Sequence, residues 1–336
     1  MIELQHDQLV FRFPDVHQDA ELAIEFQRTL RIPDDDKSYP LPPGLGRFPL
    51  RHVDDFAGKV PARWIEHGGV MLPMYQAEAL WVNFRGSYPC AVRVATGKID
   101  AVTGKELQPG LERKPQNYLV IPEQPWLDGY CVKKGIIRQF VAMPLGAGYT
   151  AEEQLTGEAE HGGLQLVVHP IKREAYETLR SRWHDRGLFV GTGEFAVLAS
   201  ATARGVDLGL APGGRMRQQI FDDPHAFDVW DPETSARCFV HLANSLVWRH
   251  ITGQEPPTVP PTAKEYSKAG LPWFEYYAEG AKAVEGSKVL EKLKSVVAMG
   301  KKKGDVPLPE NEPVDEPKII ELRKGLKKDE VRTGRF

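Results

Sequence analysis

The sequence predicts an α+β protein with a mainly antiparallel β core, sandwich or barrel-like, a few packing helices and a C-terminal arm that is partly helical and partly extended. Two observations favour this fold class. Short runs of alternating apolar and polar residues are joined by brief turns, without a regular alternation of strand and helix. The 31 glycines and 27 prolines among 336 residues favour many short strands and shaped loops.

The clearest strands lie between residues 79 and 102. Leu80, Val82 and Phe84 alternate with their neighbours, and turns at 85–88 and 96–97 separate this run from two further apolar runs. This spacing predicts an antiparallel meander. Other strands are predicted over 9–13, 118–121, 130–132, 136–143, 164–169 and 215–221. Segment 20–32 fits a strand or a helix, and Gly213-Gly214 predicts a turn.

The strongest helix signal covers residues 231–253. Asp231 suits the cap, Pro232 the first helical position and Gly253 the end. An apolar stripe with helical spacing supports the helix and consists of Phe239, Leu242, Ala243, Leu246 and Val247. Weaker helix signals cover 172–186, which Gly187 would end, 288–299 and 318–328.

Composition predicts a β-rich core over 1–254 and, over 255–336, a proline-rich connector, an aromatic cluster, an amphipathic helix and a polar tail. The net charge is −3, with a small basic excess after residue 280, which is too weak to predict nucleic-acid binding. Three scattered cysteines argue against a disulfide framework or a thiolate metal site. No signal peptide and no apolar span are recognisable, so we expect a cytoplasmic protein without a membrane span.

The first candidate site is the glycine-rich loop 145–163. Ionisable groups concentrate there, namely Glu152, Glu153, Glu158, Glu160 and His161. Carboxylates and an imidazole can bind a divalent metal or act as general acid and base, and Glu160 and His161 are the chosen candidates. The favoured alternative is an exposed connection in which Thr150 and Glu153 form a capping box.

A second candidate combines Glu78 with His67 for proton transfer. The alternative that we favour is that both residues belong to turns and caps around core strands. The sequence contains none of the established nucleophile, zinc, nucleotide or calcium motifs. It therefore assigns no metal ligand and leaves the cofactor unknown.

Candidate ligand-binding residues are spread over several strands. Arg138 lies inside an apolar run, and Arg215 and Arg217 share one face of a predicted strand, where they can bind a carboxylate or phosphate. Solvent-facing positions, or a salt link to Asp222 or Asp223, are the alternatives. Trp126 and Asp128 are candidates for a pocket wall.

The remaining signal is an aromatic group in the C-terminal arm, made of Trp273, Phe274, Tyr276 and Tyr277. Such residues anchor interfaces, and they also fasten an arm to its own body. The leading functional hypothesis is an interaction protein that binds a partner or itself through this arm. The alternative is an enzyme or small-ligand-binding protein whose site combines several strands with the loop 145–163.

Overall fold

The computed structural model describes residues 1–35, 37–184, 207–277, 281–306, 308, 314 and 319–323. The strands are β1 (Ile2–Gln5), β2 (Gln8–Arg12), β3 (Glu21–Thr29), β4 (Ser38–Tyr39), β5 (Gly44–Arg47), β6 (Arg51–His52), β7 (Val70–Met74), β8 (Ala79–Arg85), β9 (Cys90–Thr96), β10 (Ile99–Asp100), β11 (Leu119–Ile121), β12 (Trp126–Leu127), β13 (Gly129–Lys133), β14 (Ile136–Pro144), β15 (Leu164–Pro170), β16 (Asp207–Arg217), β17 (Ala236–Asn244), β18 (Trp273–Tyr277) and β19 (Ile319–Arg323). The α-helices are α1 (Ala62–His67), α2 (Ala151–Thr156), α3 (Arg173–His184), α4 (Ser245–Thr252), α5 (Ala263–Lys268), α6 (Lys288–Glu291) and α7 (Val296–Lys303).

One mainly antiparallel sheet organises the molecule, which confirms the predicted α+β class. Its main row runs β1–β2–β3–β8–β14–β16–β17–β15–β9, and every neighbour in this row is antiparallel. Short strands extend the row, and β4 and β7 add parallel pairings to β16 and β17. The described strands do not close into a barrel.

The core follows from the alternation of side chains along these strands. One large cluster of buried apolar residues draws on most of the strands, and two smaller clusters lie beside it. One of the smaller clusters joins Trp64 of α1 to Trp248 and Ile251 of α4 and to Met71 of β7. This cluster fixes α1 against the sheet. Among the described residues, no helix is long and apolar enough to cross a membrane.

The helix predicted over 231–253 is wrong in its first half. Residues 236–244 form strand β17, and helix α4 begins only at Ser245. Cys238, Val240 and Leu242 face the core in strict alternation, as expected for a strand. The side chain of Asn244 then caps α4 by accepting a hydrogen bond from the Leu246 N–H at 3.0 Å. An apolar strand followed directly by an apolar helix imitates one long helical stripe.

The turn predicted at Gly213-Gly214 is also wrong, because β16 runs through both residues. A Cβ atom on Gly214 would lie 2.3 Å from the Pro33 carbonyl oxygen. These glycines therefore mark a close approach of backbone segments within a strand.

The strands of the predicted meander exist, but their pairing differs. β9 and β10 form the expected antiparallel pair, whereas β8 pairs with β3 and β9 with β15. The segment between β8 and β9 contains the buried Tyr88, whose hydroxyl donates to the Ile171 carbonyl at 2.8 Å beside the end of β15. This contact holds the start of β9 next to β15.

The other predicted elements agree better with the structure, except for two helices predicted near the C-terminus. Segment 20–32 contains strand β3, and helix α3 matches the signal at 172–186, although Gly187 lies outside the described residues. The single helix predicted over 288–299 is two helices, because Ser295 caps α7 with its hydroxyl oxygen. Residues 319–323 of the last predicted helix form strand β19 instead, and the rest of that segment lies outside the described residues.

Candidate metal centre

Strand β17 carries the first part of the site on the face opposite the core. Because Val240 and Leu242 point into the core, Phe239 and His241 point away from it. The rings of Phe239 and His241 lie 6.1 Å apart, with planes inclined by only 9°. Other side chains of the site gather on this face.

Helix α1 brings a second histidine to this face. The buried indole of Trp64 stacks on His241 with 4.8 Å between ring centroids. His67 lies three residues after Trp64 and therefore shares its side of the helix. The His67 imidazole stacks on Phe239 at 4.4 Å, with 7° between the ring planes.

Helix α2 and the loop after it supply a third histidine and two carboxylates. Thr150 and Glu153 form the predicted capping box at the start of α2. Glu152 points inward and is 1 % exposed. Its carboxylate accepts hydrogen bonds from the backbone N–H groups of His161 at 3.2 Å and Gly162 at 3.0 Å. The loop therefore folds back over α2.

Two glycines allow these segments to approach one another. Gly69 and Gly97 have φ angles of +87° and +53°. A Cβ on Gly69 would lie 2.2 Å from the Phe239 carbonyl oxygen, and one on Gly97 would lie 2.4 Å from a Glu152 carboxylate oxygen. Both the backbone angle and the available space therefore require glycine at these positions.

Glu152, Glu160 and His161 form what we term the histidine–glutamate cluster. Nδ1 of His161 lies 3.2 Å from a Glu152 oxygen and 3.6 Å from a Glu160 oxygen. One ligand atom from each residue lies within 4.8 Å of the other two. The His67 ring lies beside the cluster, 5.1 Å from the His161 ring and inclined by 3°.

Lys98 supplies the positive charge nearest to the cluster. Its ammonium group donates to Glu160 at 2.9 Å and also to Glu158. The hydrogen bond from Lys98 lowers the pKa of Glu160, which is therefore ionised at neutral pH.

The neighbouring imidazoles are neutral at the same pH. Burial lowers the pKa of His241 to about 4. Burial, followed by the nearby His161, lowers the pKa of His67 as well. Nε2 of His241 lies 3.0 Å from the Gly68 carbonyl oxygen and must donate to it, since a carbonyl only accepts. Nδ1 of His67 is buried and has no hydrogen-bond partner among the described residues.

Of the catalytic candidates from the sequence, the structure brings His67, Glu160 and His161 together. Glu78 lies elsewhere, and its carboxylate accepts from the Arg28 guanidinium at 2.9 Å and from the Tyr75 backbone N–H at 2.9 Å. Within the described residues, no hydrogen bond connects Glu78 to His67.

Two of the three candidate arginines lie together on neighbouring strands. Arg138 of β14 lies directly opposite Arg215 of β16. Arg217, two residues further along, is held by Glu275, which accepts from Nε at 2.8 Å and lies 2.7 Å from Nη2.

The suggested salt link through Asp223 involves a different arginine. The Asp223 carboxylate accepts hydrogen bonds from Arg113 Nη1 at 2.6 Å and from the Tyr118 hydroxyl at 2.6 Å.

Trp126 and Asp128 lie on or beside the short strand β12. The Trp126 ring packs on Tyr276 with 4.8 Å between centroids. Asp128 is 3 % exposed and accepts a hydrogen bond from the Gln218 amide at 2.7 Å. Burial raises the pKa of Asp128 to about 7.

The aromatic group of the C-terminal arm packs within the chain. Trp273 is fully buried, with its ring 6.3 Å from the Tyr39 ring. The Phe274 backbone exchanges hydrogen bonds with Leu41 at 2.8 and 2.9 Å, and Tyr277 ends strand β18. These contacts fit the alternative in which the aromatic group fastens the arm to its own body.

Sequence reasoning missed His241 and Lys98. His241 was placed on a helix, although the alternation of Cys238, Val240 and Leu242 is a strand signal that would have put Phe239 and His241 on the opposite face. Lys98 carried no signal, because its role depends on a loop some sixty positions away in the chain.

Two concavities lie outside the histidine–glutamate cluster. A groove of about 560 Å³ runs between α2, α6 and α7 and is lined by several lysines, including Lys302 and Lys303. A smaller cavity of about 250 Å³ lies against Arg138 and Arg215.

Comparison with known proteins gives no relative, since no family model, curated protein or solved structure matches this chain. The chemistry of the site therefore carries the functional proposal.

Proposed function

We propose that this protein binds a first-row divalent transition-metal ion, such as Zn²⁺, at the histidine–glutamate cluster. One observation carries the proposal, namely that ligand atoms of Glu152, Glu160 and His161 lie within 4.8 Å of one another. Zinc–ligand bonds are about 2.0–2.2 Å long, so the three ligand atoms must move closer together when the ion binds, and the exposed side chain of Glu160 is the one free to move.

The donor set indicates the class of ion. Zinc and its neighbours bind imidazole nitrogen together with carboxylate oxygen, whereas calcium and magnesium prefer oxygen alone. A carboxylate must be ionised and an imidazole neutral in order to bind a metal. The lowered pKa of Glu160 meets the first condition at neutral pH.

Glu152 is oriented before any ion binds. Two backbone N–H groups hold its carboxylate in place, and Gly97 leaves room for it. A carboxylate offers about four lone-pair positions, so these two hydrogen bonds leave capacity for a metal. Because the Glu152 carboxylate is already ordered, metal binding costs less side-chain entropy.

Three protein ligands leave one position of a tetrahedral ion for water or substrate. Catalytic zinc sites share this arrangement, and zinc lowers the pKa of the bound water to about 7. The proposed site is therefore suited to metal-assisted hydrolysis. It belongs to the second hypothesis from the sequence, in which the loop 145–163 and several strands build an enzyme or ligand site.

The test uses two neighbouring glutamates that both contact Lys98. Only Glu160 belongs to the cluster, so Glu158 provides a matched control. Titration calorimetry with ZnCl₂ is expected to show one ion per chain for the parent protein and for Glu158→Gln. Glu160→Gln is expected to weaken zinc binding by at least about tenfold, because a charged ligand interaction is worth about 1.5–3 kcal/mol.

Absence of zinc binding by the parent protein would contradict the proposal. Equal losses in Glu158→Gln and Glu160→Gln would also contradict it, because they would indicate a general attraction of cations to this surface. The interaction hypothesis stays a prediction, and the contacts of Trp273 and Phe274 within the chain do not favour it.

A further inference from the structure

The groove of about 560 Å³ between α2, α6 and α7 is a fixed feature of the fold. The side-chain amide of Gln154 in α2 donates to the Lys294 carbonyl at 2.9 Å and accepts from the Lys294 N–H at 2.8 Å. Leu290 of α6 is fully buried, and the Ser295 hydroxyl oxygen caps α7. The three segments that form the walls are therefore held together by contacts of the chain itself.

The groove carries positive charge that the chain does not neutralise. Its lining contains four lysines, namely Lys292, Lys294, Lys302 and Lys303. Within the part of the chain that the structure describes, none of the four forms an ion pair. The acids near them in the chain bind elsewhere, since Glu291 lies 2.6 Å from the Lys133 ammonium group and Asp305 accepts a hydrogen bond from the Tyr149 hydroxyl.

Of the described residues in the lining, only Glu153 is acidic, and its carboxylate is already occupied. It accepts hydrogen bonds from the Gly148 N–H at 2.6 Å and from the Thr150 hydroxyl at 2.7 Å. Lys303 lies over the Tyr149 ring, with its Nζ atom 5.4 Å from the ring centroid. This cation–π contact orders one ammonium group at the groove without neutralising its charge.

Apolar side chains line the same groove. Leu155 and Val289 are 36 % and 44 % exposed and belong to the few large apolar side chains that are exposed on the described surface. Leu293 and Met299 lie beside them and are nearly buried. Exposed apolar area next to polar groups marks interaction sites. Ammonium groups and apolar side chains in one groove suit a ligand that offers both carboxylates and apolar groups.

We propose that this groove binds an acidic segment of a partner protein, in which glutamates or aspartates are interspersed with apolar residues. The carboxylates pair with the four ammonium groups, and the apolar residues cover Leu155 and Val289. Lysine presents a point charge on a flexible stem, which accommodates carboxylates at several positions along a peptide. The site lies in the C-terminal arm through α6 and α7, and it does not involve Trp273 or Phe274.

Other anionic partners fit the groove less well. The described lining contains no aromatic side chain on which a nucleic-acid base could stack. A membrane-surface site presents an apolar face that enters the headgroup region. Here Leu293 and Met299 line a concavity and are only 5 % and 7 % exposed.

The experiment is fluorescence anisotropy of the fluorescein-labelled peptide ELEELLEELE, titrated with the full chain in buffer containing EDTA. We expect saturable binding. The companion peptide ESEESSEESE keeps every charge but lacks the leucines. It is expected to bind at least about fivefold more weakly, because burial of one leucine side chain contributes about 1.5–3 kcal/mol.

Matched lysine variants test where the peptide binds. Lys292→Gln/Lys302→Gln removes two charges from the lining, whereas Lys288→Gln/Lys301→Gln removes the same charge from the same two helical segments outside it. At about 0.15 M salt, charges more than about 8 Å apart are largely screened. The first variant is expected to weaken binding of ELEELLEELE by about five- to tenfold, and the second by less than about twofold.

A second matched pair tests the apolar part of the groove. Leu155→Gln is expected to weaken binding by about threefold, because a partly exposed leucine contributes less than a fully buried one. Leu246→Gln replaces a leucine of α4 that is 45 % exposed and outside the lining, and it should leave binding unchanged. All the substituted side chains are exposed, so the variants are expected to fold.

Absence of peptide binding by the parent protein, equal losses in the two lysine variants, or equal binding of the two peptides would overturn the proposal. Binding to phosphatidylserine vesicles without peptide binding would assign the groove to a lipid surface. A dimer that Lys292→Gln/Lys302→Gln dissociates in sedimentation equilibrium would assign it to a second copy of the chain. Either of these results would overturn the proposal as well. Because EDTA is present throughout, none of these results bears on zinc binding.

Discussion

The buried pair Arg28–Glu78 and the histidine–glutamate cluster neutralise buried glutamates in different ways. Glu78 is held by a guanidinium at 2.8–2.9 Å, and the side chains of Arg28 and Glu78 are 6 % and 1 % exposed. Glu152 is equally buried, but it is held by backbone N–H groups and by the His161 ring.

This difference distinguishes a carboxylate that only stabilises the fold from one that is available to a ligand. A buried carboxylate matched by an arginine has little left to offer a ligand, because its partner already supplies the charge and the hydrogen bonds. A carboxylate held by backbone N–H groups and an imidazole still has lone pairs to offer an incoming cation. In our proposal, the same residue type therefore stabilises the core at one place and provides a metal ligand at the other.

Removal of one partner of the buried Arg28–Glu78 pair gives the largest expected effect. Arg28→Met leaves Glu78 buried without its cation, and we expect a loss of about 3–5 kcal/mol in the free energy of unfolding. Urea denaturation measures this loss. The double variant Arg28→Met/Glu78→Met should recover part of it, and zinc affinity should stay unchanged in any variant that folds. A loss below about 1 kcal/mol in Arg28→Met would contradict the assigned role of the pair.

Asp128 sharpens the comparison, because this buried carboxylate has a neutral amide of Gln218 as its partner. Its pKa is raised from 3.8 to about 7. Between these values the folded state keeps a proton that the unfolded state has lost, so stability falls as the pH rises from about 4 to about 7. Asp128→Asn removes this dependence and is expected to add about 2 kcal/mol to the free energy of unfolding at pH 8.

Denaturation curves at pH 4 and pH 8 measure this prediction. The gain should be large at pH 8 and much smaller near pH 4, where the parent carboxyl is protonated in the folded state. An equal effect of Asp128→Asn at both pH values would show that Asp128 does not titrate as described.

Substitution of Lys98 gives the smallest expected effect and tests whether the Glu160 carboxylate is available to a metal ion. Its ammonium group contacts Glu160 and so competes with a metal ion for the same carboxylate. Lys98→Met is expected to tighten zinc binding by about two- to fivefold, because exposed ion pairs are weak. Titration calorimetry measures the change, and weaker zinc binding in Lys98→Met would indicate that Lys98 orders the site.

The sequence predicted the fold class and many strands, because alternation and turn residues are local signals. It failed at β17, where an apolar strand runs directly into helix α4, and at Gly214, where a glycine serves a close approach to Pro33. At β17 the apolar residues fit both a strand alternation and a helical stripe, so periodicity alone did not decide between them. At Gly214 the deciding contact comes from a distant segment.

The site was predicted only in part for the same reason. The concentration of carboxylates and an imidazole in one loop pointed to Glu160 and His161, whereas His67 was a candidate only in combination with Glu78. The stacking of His67 on Phe239 and on His161 depends on three segments that meet only in the folded chain. Glu78 was chosen on equally good local grounds, and its partner in the structure is Arg28.

The most direct test of the metal proposal is anomalous X-ray diffraction, at the zinc absorption edge, from crystals grown with ZnCl₂. We predict one strong anomalous peak between the side chains of Glu152, Glu160 and His161, and its absence in crystals of the variant His161→Ala. A map without a peak at this position, or a peak that persists in the variant, would contradict the proposal.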